Sequence, residues 1–504
     1  MASQLLYLIL ALPTIVLLLF LRHKQKQTSS SRLPPGPPGL PLIGNLFDID
    51  FSALHRSLWQ LSQEYGTLMS LKLGCTQVLV VSSAKMAEEV MKTQDLVFCS
   101  RPILTGPNHL SYDRRDVSFS PYGAYWREIR KICGVHLFSS TRVQSFSPIR
   151  EGEVSQMIER ISRSSHDSNP FNLSEAMLSL ASTIICRTAF GKSSEGNHGG
   201  DLRRKLEFML REAGAMFTGF FFSDRFPILG FLDRFTGMMG RLEKNCRELD
   251  AFYQDFIDQH LDPKRVESEH KDVLDVLLGV MNEEPDKVQL TFDHIKAILM
   301  DIFIAGTDTS AATVVWAMTY LMKNPIALRK AQEEVREAIE KKGFVKEEDI
   351  ERLPYLSAVV KETMRLQPPA PLLLPRESSQ DCELGGYKIP AKTTVYVNAW
   401  AIGRDPEAWG ENPEEFKPER FVEKSIDMKG SDFALIPFGA GRRRCPGINL
   451  GLVTVELSLA NLLYAFNWEM PVGTKSEDLD MEVLPGVTMH KKNALLLVAK
   501  KYVC

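Results

Sequence analysis

Apolar residues follow three different patterns along this chain. From Leu5 to Leu21 they are nearly continuous. From about residue 124 to about residue 370 they recur with a helical period. On either side of that stretch, short β-branched and apolar runs are broken by glycine and proline, as strands are. Leu5–Leu21 as a helix, rising about 1.5 Å per residue, reaches about 25 Å, the short end of a membrane span. Arg22, His23, Lys24 and Lys26 follow it. Basic residues stay on the cytosolic side, so this order predicts an anchor over 1–22 and a cytosolic body. A cleaved secretory signal would carry its basic cluster before the apolar run. Pro13 is tolerated inside a membrane helix.

Residues 23–40 read as a linker. Thr28–Ser31 is hydroxyl-rich, and Pro34-Pro35-Gly36-Pro37-Pro38-Gly39 favours a stiff, extended connector. The body, 41–504, shows no later linker and no internal repeat. Leu68–Leu73 and Gln77–Ser82 flank Gly74 and predict a hairpin. Ser83 is a predicted N-cap for a helix over Ala84–Lys92. Tyr387–Ile389, Thr393–Asn398 and Leu495–Ala499 read as further strands. Many helices with a minor, segregated sheet make a mainly α, α+β plan.

Thr291–Met322 is predicted as one long helix, capped by Thr291 and stopped by Asn324-Pro325. It is apolar on nearly every face, as a membrane span would be. Asp301 and the run Thr307-Asp308-Thr309-Ser310 argue for burial in protein instead, because such groups are costly in lipid. Within Ala305-Gly306-Thr307-Asp308-Thr309-Ser310, the Thr309 hydroxyl is expected to bond the Ala305 carbonyl four residues back. Gly306 is expected to leave room for a shallow groove. Asp308 beside Thr309 offers a carboxyl and a hydroxyl for moving protons.

The 504 residues are 44% hydrophobic and 24% charged, with a net charge of −3. That balance supports a large core, and no basic stripe suggests nucleic acid. The eight cysteines are Cys75, Cys99, Cys133, Cys186, Cys246, Cys382, Cys445 and Cys504. Without a Cys-x-x-Cys they outline neither a disulfide framework nor a structural zinc site. No phosphate-binding glycine motif is present.

One cysteine differs in its surroundings. Phe438-Gly439-Ala440-Gly441-Arg442-Arg443-Arg444-Cys445-Pro446-Gly447 precedes an apolar helical run, with Pro446 suited to that helix's first position. A helix N-terminus and three arginines would stabilise a thiolate. Gly441 and Gly447 would admit a flat ligand close to the backbone. The string Phe-x-x-Gly-x-Arg-x-Cys-x-Gly, matched by Phe438, Gly441, Arg443, Cys445 and Gly447, resembles the haem-binding signature of the cytochrome P-450 superfamily. The central helix resembles that family's oxygen-activating helix. Glu362-x-x-Arg365 and Phe416-Lys417-Pro418-Glu419-Arg420-Phe421 resemble two more of its motifs. The Pro-rich hinge, Pro121-Tyr122-Gly123 and Pro437-Phe438-Gly439 look like plant microsomal members, which mostly oxidise specialised metabolites.

The resemblance implies the cytochrome P-450 fold, with haem b between the central helix and the Cys445 loop. Cys445 would be the iron ligand. Trp126, Arg130, Arg376, Phe438 and Arg443 would complete the haem site. Thr309 and Asp308 would activate oxygen. Glu362, Arg365 and Arg420 would form a buried network behind the haem. Leu110, Val117, Ile302, Ala305, Leu372, Leu373 and Val487 would line the substrate pocket. The aromatic run Met216–Phe222 reads either as core packing or as a roof over that pocket near the membrane. The implied activity is insertion of one oxygen atom from O2 into a small hydrophobic terpenoid, phenylpropanoid, alkaloid or oxime. Electrons would come from NADPH through a separate flavoprotein reductase, drawn to Arg442, Arg444 and Lys131. The implied location is the endoplasmic reticulum membrane, crossed once. Two rival readings remain: a haem-thiolate isomerase or dehydratase needing no external electrons, and a non-catalytic haem protein. Relatives of the first kind tend to lack the acid–alcohol pair, and the second gives Thr309 no purpose.

Overall fold

A computed structural model describes residues 33–502 apart from 165–168, 192–198, 266–270, 284–288, 341 and 424–425. The expected anchor over 1–22 and Cys504 lie outside the described residues. The hairpin forms as β1 (Leu68–Leu73) and β2 (Thr76–Val81), paired antiparallel about Gly74. Gly74 needs its positive φ of 60°, and an added Cβ would stand 2.5 Å from the Arg225 carbonyl. Ser83 caps Ala84–Glu88 through the Met86 amide, and the helix continues as a wider turn over Glu89–Thr93.

The longer helices are α1 (Leu54–Tyr65), α2 (Ala124–Ile132), α3 (Ser147–Ser164), α4 (Leu173–Phe190), α5 (Gly199–Phe217), α6 (Met238–Leu261), α7 (Val273–Glu283), α8 (Phe292–Lys323), α9 (Pro325–Ile339), α10 (Pro354–Leu366) and α11 (Ile448–Ala465). Short strands β3 (Phe171–Asn172), β4 (Arg376–Glu377), β5 (Cys382–Leu384), β6 (Tyr387–Ile389), β7 (Thr394–Val397), β8 (Phe466–Glu469) and β9 (Leu496–Lys501) complete the chain. Strand order β1-β2-β7-β4 makes the main sheet, with β2 and β7 parallel; β3-β9-β8 and β5-β6 are separate. This is the expected mainly α plan with segregated strands.

The central helix α8 is capped by Thr291 and ends at Asn324. It packs against α4, α10 and α11. Phe303, Trp316, Met318 and Leu321 on it are fully buried. Removing each large apolar side chain from water contributes about 1.5–3 kcal/mol, so protein contacts alone account for its apolar surface. Length and composition would let α8 and α11 cross a membrane, but two-thirds of each apolar window is buried inside the fold.

Two local expectations are corrected. Helix α11 starts at Ile448 with Gly447 as its N-cap, so Pro446 stands before the helix rather than at its first position. The space over Gly306 is filled: an added Cβ would meet Ile185 Cδ1 at 2.6 Å. Gly306 therefore serves the close approach of α4 to α8 and opens no groove.

Candidate active site

Helix α8 is sealed along most of its length but opens at one place. Ala305 is exposed, and Asp308 and Thr309 are half-buried, whereas Thr307 and Ser310 face the core. An exposed alanine at the middle of a core helix marks an internal space. The Thr309 hydroxyl donates to the Ala305 carbonyl at 2.6 Å, as the spacing predicts. That bond fixes the hydroxyl oxygen at the edge of the opening. Asp308 Oδ2 lies 3.6 Å from His490 Nε2, a contact between segments far apart in the chain.

Cys445 is reached by a tight turn. Its amide donates to the Phe438 carbonyl at 2.9 Å, and Gly439 and Gly441 turn the loop with positive φ. Gly441 serves packing rather than a flat ligand, since an added Cβ would stand 2.0 Å from the Met91 carbonyl. Cys445 is half-buried. Burial raises the thiol's pKa; the Gly447 amide and the charges of Arg130 and Arg444 oppose that rise. These are the groups that would favour a thiolate.

The loop 116–120 joins the two halves. Asp301 of α8 accepts from the amides of Val117 at 2.8 Å and Ser118 at 3.3 Å. The Val117 carbonyl in turn accepts from Trp126 Nε1 at 2.9 Å and from Arg443. Arg443 also donates to the carbonyls of Cys99 and Ser120, and its guanidinium lies 4.2 Å from the Trp126 ring centre. Asp116 accepts from the amides of Phe119 and Ser120. Asp116 and Asp301 are close enough for their charges to act on each other. Burial raises both carboxyls above the usual range, and Asp301 pushes Asp116 further.

Arg376 pairs with Asp95 at 3.2 Å and donates to the Ala440 carbonyl. Arg130 donates to the Arg444 carbonyl. Arg101 donates to the carbonyls of Ser118, Leu374 and Pro375. Arg101, Arg376 and Arg443 are 5%, 4% and 8% exposed. Burial and then mutual repulsion depress Arg101 and bring Arg443 down to about 10. Asp95 is the carboxylate paired with this set, and it is shared with Arg442. Such an excess of buried positive charge fits a ligand carrying carboxylates, as haem does beside a cysteine sulfur.

Behind the loop, Glu362 and Arg365 are fully buried and joined bidentately at 2.7 and 2.8 Å. Arg420 stands 3.5 Å from Glu362 and donates to the Trp409 and Asn412 carbonyls. Arg365 also holds the carbonyls of Gly403, Pro413 and Glu415. Among the expected lining residues, Leu110, Val117 and Ile302 are buried in one apolar cluster. Leu373 packs near Gly439 of the cysteine loop, while Leu372 packs against the cluster under the main sheet. Val487 is half-buried.

The family model for cytochrome P-450 matches residues 34–498. The chain is 50% identical over 506 residues to "5-OH-xanthotoxin synthase" of Pastinaca sativa, covering 99% of both proteins. It is 47% identical over 489 residues to "Strychnine-11-hydroxylase" of Strychnos nux-vomica, covering 97% of this chain and 95% of that one. A zebra fish cytochrome P-450 solved with progesterone superposes with a TM-score of 0.75 at 25% identity, over 89% of this chain and 99% of that one. The protein belongs to the cytochrome P-450 family and is a haem-thiolate monooxygenase with plant specialised-metabolism relatives. Family membership implies a redox partner and O2 as co-substrate.

Proposed function

We propose that this chain takes electrons from NADPH through a separate flavoprotein reductase and hydroxylates a small, flat aromatic plant metabolite of the coumarin type. One observation carries the oxygen-inserting reading: Asp308 and a fixed Thr309 hydroxyl stand at the single opening described in α8. An isomerase or dehydratase would give that pair no task. The substrate class is supported by "5-OH-xanthotoxin synthase" and "6,7,8-trihydroxycoumarin synthase", each 50% identical to this chain. Terpenoids, alkaloids and oximes are the other members of a test panel.

Haem b would be held by Cys445 sulfur, and Arg101, Arg130, Arg376, Arg443 and Trp126 would be the groups available to its carboxylates. When bound, it supplies oxygen activation, and a thiolate ligand favours O–O cleavage. The chain's own residues supply the rest. Thr309 presents a hydroxyl anchored on Ala305, and the adjacent Asp308 offers a carboxyl for proton transfer. Ala305 would border the substrate space, with Leu110, Val117 and Ile302 in the apolar packing around it. The Glu362–Arg365–Arg420 network keeps the segments behind Cys445 in register.

The domain plan is an anchor over 1–22, a linker over 23–40 and a catalytic domain over 41–504, on the cytosolic face of the endoplasmic reticulum. Exposed Phe47, Ile228 and Phe235, at 82%, 91% and 82%, support contact with lipid. The hairpin turn is tied to the same face by the Cys75 amide, which donates to the Arg225 carbonyl. Exposed Arg444 and Lys131 suit an acidic reductase surface on the cysteine side. Microsomes reconstituted with reductase and NADPH, screened against the panel, test the reading. A hydroxylated coumarin that disappears when NADPH is omitted supports it; turnover undiminished without NADPH and reductase refutes it.

A further inference from the structure

His490 is the one charged-capable group that meets the polar opening of α8 from outside that helix among the described contacts. Its Nε2 is 3.6 Å from Asp308 Oδ2, just beyond hydrogen-bond distance and within that of an ion pair. The backbone that carries it is clamped on both sides. Met489 accepts from Trp316 Nε1 of α8 at 2.7 Å and donates to the Pro369 carbonyl at 2.8 Å. His490 itself accepts from the Leu484 amide, and Val483 bridges Lys491. The imidazole is thus placed by main-chain contacts rather than by its own reach.

The surroundings leave Asp308 as its charged partner. Between Ile302 and Met322, helix α8 carries no other charged residue. The facing segment Gln367–Leu374 carries none. On its own hairpin, Lys491 is bound to Asp480 and Lys492 to Glu482. The side chains of His490 and Asp308 are 31% and 24% exposed, so both also meet solvent-accessible space.

We infer that His490 is a positioning residue for Asp308 and the route by which that carboxyl exchanges protons with solvent. The inference rests on the monooxygenase reading, which needs protons delivered as O2 is reduced. A proton moves from imidazolium Nε2 to Asp308 Oδ2, and water restores it to the imidazole. The proton on Asp308 is then one residue from the Thr309 hydroxyl. Histidine suits this role because its ordinary pKa lies within the working pH range.

The test uses the full-length, haem-loaded chain, reduced and carbon-monoxide-bound so that it is diamagnetic. Ring-labelled histidines are observed by NMR, and the His490 signal is the one lost in His490→Gln. That signal is expected to move in Asp308→Asn, as the imidazole loses the carboxylate beside it. NADPH-driven O2 uptake with reductase is then recorded from pH 5.5 to 8.5 without added substrate. His490→Gln is expected to flatten the profile. An unmoved signal, or superimposable profiles, overturns the inference. If the unsubstituted chain takes up no O2, the monooxygenase reading falls and this inference with it. An unmoved signal in a chain that does take up O2 removes this inference alone.

Discussion

Asp116, buried on the pocket loop, and Asp301, half-buried on the central helix, have neighbouring carboxyl groups. Each accepts from backbone amides of residues 117–120, so the pair stitches the loop to the helix. Both carboxyls are raised above the ordinary range, chiefly by burial. An acid raised in the folded state contributes stability fully below its unfolded pKa and loses it as pH climbs through the folded value. Asp301→Asn keeps an oxygen for the Val117 amide and removes the titrating group. The substitution is expected to raise the melting temperature relative to the unsubstituted chain, by more at pH 8.5 than at pH 5.5. A pH-independent difference would contradict a raised carboxyl at Asp301.

Gly306 and Ile185 are predicted to be coupled. Gly306→Ala gains about 1 kcal/mol of helix propensity but overpacks the α4–α8 contact by about 1–3 kcal/mol. Ile185→Val removes the Cδ1 that the new Cβ would strike at 2.6 Å. A double-mutant cycle by urea denaturation should show Gly306→Ala to be more favourable in the Ile185→Val background. Strict additivity would mean that the two side chains do not meet.

Glu362→Gln should cost about 3–5 kcal/mol, because it leaves a fully buried Arg365 without its counter-charge. Arg420→Ala should cost less. Its guanidinium is 16% exposed and 3.5 Å from Glu362. Denaturation midpoints order the two variants, and the reverse order would misplace the centre of the network.

Thr309→Ala removes a hydroxyl whose partner carbonyl is already in the helix, so stability should change by less than about 1 kcal/mol. Product formed per NADPH consumed should fall about tenfold or more, with peroxide released instead. Unchanged coupling would contradict the proton-handling role given to the Thr309 hydroxyl.

Much of this architecture was legible in the sequence. The hairpin, the capped central helix and the Thr309–Ala305 bond all follow from local rules of spacing and capping. Glu362 with Arg365 was legible too, since three residues on a helix bring them together. What local rules could not reach were contacts between distant segments. Asp95 with Arg376 and His490 with Asp308 are each separated by more than 180 residues. The glycines were misread for the same reason. Gly306 and Gly441 are small because Ile185 and Met91 press on them, and neither neighbour is near in sequence. Asp301 did leave a signal: a lone acid on an apolar stretch. Its partner Asp116 is visible only after folding.

The two-sided site depends on Cys445 sulfur as the iron ligand. The direct measurement is the absorption spectrum of the reduced, carbon-monoxide-bound, full-length protein before and after Cys445→Ser. The unsubstituted chain is predicted to show the thiolate-type band, and Cys445→Ser to lose it. A thiolate-type band that survives Cys445→Ser would contradict the assignment.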